Sequence, residues 1–520
     1  MSDTLKQIAD NLGVSTINGS YLSGIADYYG VDLATSTDLM ADILTEVGGN
    51  PATSTDYLQD IVLELGGTVT INGNWMEAWE AITAVPPTPL TTEWTTTANS
   101  EEIFLPYLVG TGTYTGTIDW GDGNTDVNDG SVTAHTYATA GTYTVIIDGD
   151  CIGWNFGNAG GSPNITSVVN WGQLQLGPDN FGYNFAFCPN LDLSSVQGTL
   201  DLTGVTNFDG LFFDCTSLTT VNNINSWDTS AVTSMNAMFA NCTTFNQALS
   251  FNTSAVTSMN AMFYGCSVFN QALSFNTSAV TDMSEMFANC TSFNQALSFN
   301  TSAVTNMNTM FANCTTFNQA LSFNTSAVTS MAEMFANCTS FNQALSFNTS
   351  AVTNMNNMFV GCSVFNQALS FDTSAVTDMG EMFVGCSVFN QPLSFNTSAV
   401  EYMNRMFRDA TAFNQNISSW NTGAVTDMSQ MFKDAPAFNQ NIGTWNVENV
   451  TDFLNFMQGK TPATFSTTNL NAIYNGWSTQ SVQSSLDISF GTAEYTAAAT
   501  AGRLVLTGTA LWTITDGGQV

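Results

Sequence analysis

A 12-residue phrase, FNQALSFNTSAV, followed by T-x-M-x-x-MF and then Cys or Ala, recurs through the middle of the chain. Its first Phe marks the period. Phe245, Phe269, Phe293, Phe317, Phe341, Phe365, Phe389 and Phe413 lie 24 residues apart, and Phe438 follows after 25. A period of this length predicts a stack of equivalent rungs, each touching only its neighbours. At about 4.8 Å per rung, the spacing of paired strands, equal positions fall into columns. Met235, Met259, Met283 and their successors form one column, and Phe239, Phe263 and Phe287 begin another. Both are expected to fill an apolar core with flexible thioethers and rigid rings.

The cysteines follow the same logic. Cys242, Cys266, Cys290, Cys314, Cys338, Cys362 and Cys386 are followed in register by Ala410 and Ala435. A position that accepts Cys or Ala is a small buried slot, so packed free thiols are expected and disulfides are not required. Asn246, Asn270 and Asn294 begin a polar ladder in which each amide can serve an adjacent rung. Asn252, Asn276 and Asn300, in N-T-S, suit Asx turns at a corner rather than glycosylation.

Charge then narrows the function. The chain carries 42 acidic and 6 basic residues, a net charge of −36, with no Lys or Arg between Lys6 and Arg405. That balance argues against nucleic acid, which requires cations to displace phosphate counterions. It also argues against an anionic membrane surface, and no 18-residue apolar stretch predicts membrane insertion. The opening MSDTLKQIADNLGV lacks an apolar h-region and is not expected to act as a Sec leader. With no C-x-x-C and a single histidine, His135, no zinc or iron–sulfur cofactor is expected.

Residues 1–84 read as short helices between Gly/Thr-rich turns, a helical attachment domain, and residues 85–90 as a Pro-rich linker. Alternating β-type segments follow over 91–150. Asp119-Trp120-Gly121-Asp122-Gly123, His135-Thr136-Tyr137 and Gly141-Thr142-Tyr143-Thr144-Val145 make this block resemble a PKD-like β-sandwich. Residues 151–230 read as degenerate rungs, 231–460 as the regular array and 461–520 as a C-terminal cap. The phrases FNQNISSWNTGAVTDMSQMF and FNQNIGTWNVENVT make the array resemble the BspA-like leucine-rich repeat proteins, although its central rungs are one residue shorter and carry Phe for Trp. The resemblance implies a mainly β-containing leucine-rich-repeat-type solenoid and a role in display or recognition.

Two sets of residues are candidates for chemistry. Asp122, Asn124 and Asp126 alternate like calcium donors, without the Gly and Glu that an EF-hand needs. The variable positions Asn260, Ser284, Asn308, Ala332, Asn356 and Gly380, with the pair before each Cys, are expected to point outward as a bland polar binding face. No enclosed acid–base pair is evident, so an enzyme is not expected. The combined expectation is a virion display protein, a phage tail or capsid fibre. Its N-terminal domain would meet other virion proteins, it would form a homo-oligomer, and its solenoid would meet a host surface or glycan. A bacterial cell-surface adhesin is the alternative.

Overall fold

The computed structural model describes residues 88–108, 110–157, 162–177 and 182–520. The expected helical domain, residues 1–84, and the first part of the linker lie outside them. Strand, bridge and coil dominate the described chain; helices are few, and no sheet closes into a barrel.

The N-terminal part is built from β1 (Leu90–Thr96), β2 (Glu101–Phe104), β3 (Thr113–Tyr114), β4 (Thr117–Asp119), β5 (Thr125–Val127), β6 (Ala134–Tyr137), β7 (Gly141–Asp148), β8 (Cys151–Ile152), β9 (Ile165–Asn170) and β10 (Leu174–Gln175). Along β1 buried and half-buried residues alternate, as period-2 patterning requires of a strand with one face inward. Its largest sheet runs β5-β4-β7-β1-β9, with β1 antiparallel to both β7 and β9.

The sheet does not stop near residue 150, where the sequence suggests a boundary. β9 lies beyond that point, pairs with β1, and offers its other side to the first rung through the parallel bridges Ser167↔Asp192 and Asn170↔Gln197. β10 does the same for the smaller β10-β8-β3 sheet, pairing with β8 on one side and bridging to Asp201 on the other. A free sheet edge exposes unpaired backbone groups. Here the rungs cover two of them, and Pro89–Val520 forms one compact unit.

From Asn207 the bridges continue rung by rung through Ser234, Ser258, Asp282, Asn306, Ser330, Asn354, Asp378, Tyr402 and Asp427 to Asp452, all parallel. Each rung also donates several backbone N–H groups to the next, for example Met259 to Asp282 (3.0 Å), Ala261 to Ser284 (2.8 Å) and Phe263 to Met286 (3.0 Å). The Met, Phe and Cys columns are buried throughout. Rings of adjacent rungs stack, Phe287 on Phe311 at 5.7 Å and Phe293 on Phe317 at 6.0 Å, while Phe287 and Phe293 within one rung stand 4.3 Å apart. Such offset stacking adds to the area buried.

The far end is closed by a helix that imitates a rung. Trp420 and Trp445 stack in parallel, and the buried Trp477 of α1 (Thr467–Trp477) donates its Nε1 to the Ile442 carbonyl. Trp445 makes the equivalent bond to Ile417 one rung earlier. Asn469 of α1 donates to Asn439 Oδ1 (2.9 Å), continuing the amide ladder. Beyond lie the short α2 (Thr500–Leu504) and the parallel pair β11 (Asp487–Ser489) and β12 (Thr513–Thr515).

Candidate functional site

Each rung turns through two residues in the left-handed backbone region. The first is seldom Gly: Glu285, Thr309, Glu333 and Glu381 have φ of 58–59°. The second, immediately before the Cys slot, is Asn289 (63°), Asn313 (60°), Gly361 (72°) or Gly385 (70°). A left-handed non-Gly residue costs roughly 1–3 kcal/mol. The cost is offset because the freed N–H reaches the next rung: Glu285 to Asn308 O at 2.9 Å and Asn289 to Ala312 O at 2.7 Å.

This geometry corrects the expectation of a free variable face. The pair before Cys does not vary as a recognition surface. Its second member is restricted to residues that tolerate φ > 0, and where the first is Ala288, Ala312 or Ala336 it is almost fully buried. The variable column after V-T is buried at Ser284 and Gly380 and half-buried at Asn260, Asn308, Ala332 and Asn356. Ser284 is buried, and it accepts from the Asn260 amide at its carbonyl (3.0 Å) and Oγ (2.7 Å). Asn308 Oδ1 accepts from Ser330 Oγ (2.5 Å) and Ala332 N (2.9 Å). Asn356 Oδ1 accepts from Asn357 (2.5 Å), and the buried Gly380 donates its N–H to Asp378 (2.8 Å). These six positions lie in one column; the Asn260 and Asn308 bonds join adjacent rungs, whereas the Asn356–Asn357 and Gly380–Asp378 bonds stay within a rung.

The ladder of Asn246 and its equivalents works as the pattern suggests. Asn270 N and Gln271 Nε2 both donate to Asn246 Oδ1, at 3.0 and 3.1 Å, and the arrangement repeats. In the N-T-S corners, Asn252 Oδ1 accepts from Ser254 N (3.0 Å), while buried Thr253 donates to Asn276 O (3.0 Å).

All ten cysteines are free and buried. Burial pushes the thiols upward, to about 12 at Cys362 and Cys188, so thiolates are suppressed. Each repeat thiol donates to a Phe carbonyl of the preceding rung, as in Cys314 to Phe287 O at 3.0 Å.

The calcium candidates lie in a hydrogen-bonded loop. Asp122 Oδ2 engages His135 Nε2 (2.9 Å) and the Asn124 amide (3.0 Å), and Asp126 Oδ2 accepts from Trp120 Nε1 (2.9 Å). Both Asp122 oxygens and Asp126 Oδ2 thus accept hydrogen bonds. Against a desolvation cost, the bonds from His135 and Asn124 hold the Asp122 carboxyl below its usual range. His135 also stacks on Trp120 at 4.7 Å, while Tyr137 donates to the Trp120 carbonyl at 2.8 Å. Among the described residues no group of three or more His, Cys, Asp or Glu is placed to hold a metal.

Two ionisable clusters escaped the sequence reading. Lys460 occupies the slot that follows Ala435 by 25 residues; it is buried, and its Nζ donates to the carbonyls of Ala435 and Phe438. Desolvation lowers it to about 7. In the C-terminal cap, Asp516 accepts from Tyr474 (2.6 Å) and Arg503 (2.7 Å). Lys460 ties the last rungs to each other and the Asp516 cluster lies within the cap, and in each the polar atoms already have partners.

Neither a curated protein nor a solved structure matches the chain. A family described as "Mycoplasma protein of unknown function, DUF285" matches it in four overlapping segments, 180–299, 297–371, 368–468 and 394–497, which together span more than half of its length. The segments cover the stacked rungs and run into the cap, so the repeated element described above is the element of that family, and the chain belongs to the DUF285 family.

Proposed function

We propose that this chain is a non-enzymatic surface-display protein, a leucine-rich-repeat-type solenoid that grows from a PKD-like β-sandwich. The observation that carries the reading is the unbroken series of parallel bridges from Asn207 to Asp452. Every rung is tied to the next, so the stack supplies length and stiffness along its axis. Its polar columns are consumed by that tying, which favours a spacer over a catalyst. The acidic chain offers no trypsin site between Lys6 and Arg405, which is useful in a protein exposed outside a cell.

The carrier in this reading is a virion. The chain is a tail or capsid fibre, joined to other virion proteins through residues 1–84, assembled as a homo-oligomer, and turned toward a host surface or glycan. The BspA-like repeat phrases, similar to those of bacterial surface proteins, favour a second reading as a cell-surface adhesin. Mass spectrometry of purified particles, paired with surface labelling of intact bacteria, separates the two. Recovery in particles supports the fibre. Labelling on cells with absence from particles selects the adhesin. Absence from both ends the display reading.

A further inference from the structure

A cleft of about 340 Å³ lies beside β2 in the sheet region, lined by Glu102, Phe104, Pro106, Asn155, Phe156, Ser162, Pro163 and Asn164. We infer that it binds a single pyranose unit of a glycan. The volume suits one hexose, and the lining combines apolar faces with a few polar atoms, as small-ligand sites do.

The walls are fixed in advance. Asn155 N donates to Pro106 O (2.7 Å) and its Nδ2 to Gly182 O (2.7 Å). Asn164 spends its amide N–H groups on Thr95 O (3.0 Å) and Glu101 Oε1 (2.6 Å). Asn190 holds the Pro163 carbonyl at 2.7 Å. Phe156 is anchored against Trp94 (6.3 Å) and Trp154 (5.9 Å). Little ordering remains to be done when a ligand enters, which favours affinity.

What these bonds leave over defines the ligand. Asn164 spends both amide N–H groups and Asn155 one of its two, so each keeps its amide oxygen as an acceptor, and the exposed Glu102 carboxylate adds two more. Phe104 is 58% exposed at the rim. A lone exposed Phe needs no explanation. Beside an acceptor-rich hollow, it presents an apolar plate to a ligand that carries both C–H faces and several O–H donors. A pyranose has both. The cleft belongs to the sheet region rather than the repeats, and the inference does not rest on which particle carries the chain.

The test titrates the full chain with methyl pyranosides (gluco, galacto, manno and the N-acetylated forms) by saturation-transfer NMR. At least one sugar should bind saturably. Phe104→Ala should weaken it roughly tenfold, the worth of one aromatic contact, and Glu102→Gln should weaken it by a smaller factor. Both residues are on the surface, and unchanged thermal unfolding of the variants confirms that only the cleft is altered. Glu333→Gln, on the repeat stack, should bind as the parent does. Three results overturn the inference: no saturable binding by any pyranoside, binding indifferent to Phe104, or binding that follows Glu333. The first two leave the display reading standing, and the third moves recognition to the stack.

Discussion

The N-terminal sheets and the repeat stack are stabilised in opposite ways. In the sheets the buried side-chain bonds occur once each. Asn128 bonds Tyr107 Oη, Thr115 O and Asp150 O at once, and Tyr137 donates to the Trp120 carbonyl. In the stack every bond is one of a series: the acceptance of Asn270 N by Asn246 Oδ1 recurs for Asn294, Asn318, Asn342, Asn366 and Asn390. The stack can therefore change its length, whereas the sheets cannot lose a strand. Nearest-neighbour coupling of repeats gives the physical basis.

The most severe break of this contrast is deletion. Removing residues 301–324, one repeat, should leave a cooperatively folded chain with Tm lowered by no more than about 5 °C. Removing residues 117–140, equally long, takes out β4 to β6 and should unfold the N-terminal part, seen as rapid proteolysis there. Equal tolerance of the two deletions would refute the comparison.

Lys460 comes next. Its folded pKa, about 7, lies below the unfolded value near 10.5, so the penalty for burying its charge is complete below pH 7. As pH rises from 7 toward 10.5 the folded state is neutral while the unfolded state still holds the proton. Stability should then rise, by at most about 1.4 kcal/mol per pH unit. Chemical denaturation across that window measures the slope, and Lys460→Met should flatten it.

Two smaller effects sharpen the picture. Asn128→Ala strands the buried Tyr107 hydroxyl and removes the bond to the Thr115 carbonyl, and should cost about 2–3 kcal/mol, whereas Asn318→Ala, in the partly solvated ladder, should cost about 1 kcal/mol. Urea titration of both tests this. Cys314→Ala should cost about 1 kcal/mol, since the same slot holds Ala at 410 and 435. Native thiols should resist Ellman's reagent until the chain unfolds.

The repeat columns were legible because a fixed period displays each position many times. The Met, Phe and Cys-or-Ala positions, the Asn246 ladder and the Asx corners can all be read without coordinates. The direction of the Asn260-to-Gly380 column was not legible. A short polar side chain that varies looks the same whether it faces water or a neighbouring rung. The two left-handed residues per rung were half visible: Asn or Gly before Cys is a signal, but Glu285, Thr309 and Arg405 at φ > 0 carry none. Nor did the sequence separate Asp122, Asn124 and Asp126 from a cation loop, since His135 and Trp120 reach them from elsewhere on the chain.

Periodicity by itself determined that equal side chains would lie above one another and that the apolar ones would be buried, because a regular pattern repeated this often has one consistent way to hide its rings and thioethers from water. Tertiary structure decided what happens at the ends. β9 carries the sheet into the first rung, Lys460 enters the small slot of the last, and α1 supplies the closing Trp and Asn. Those events join residues without a shared period, so only the folded chain brings them together.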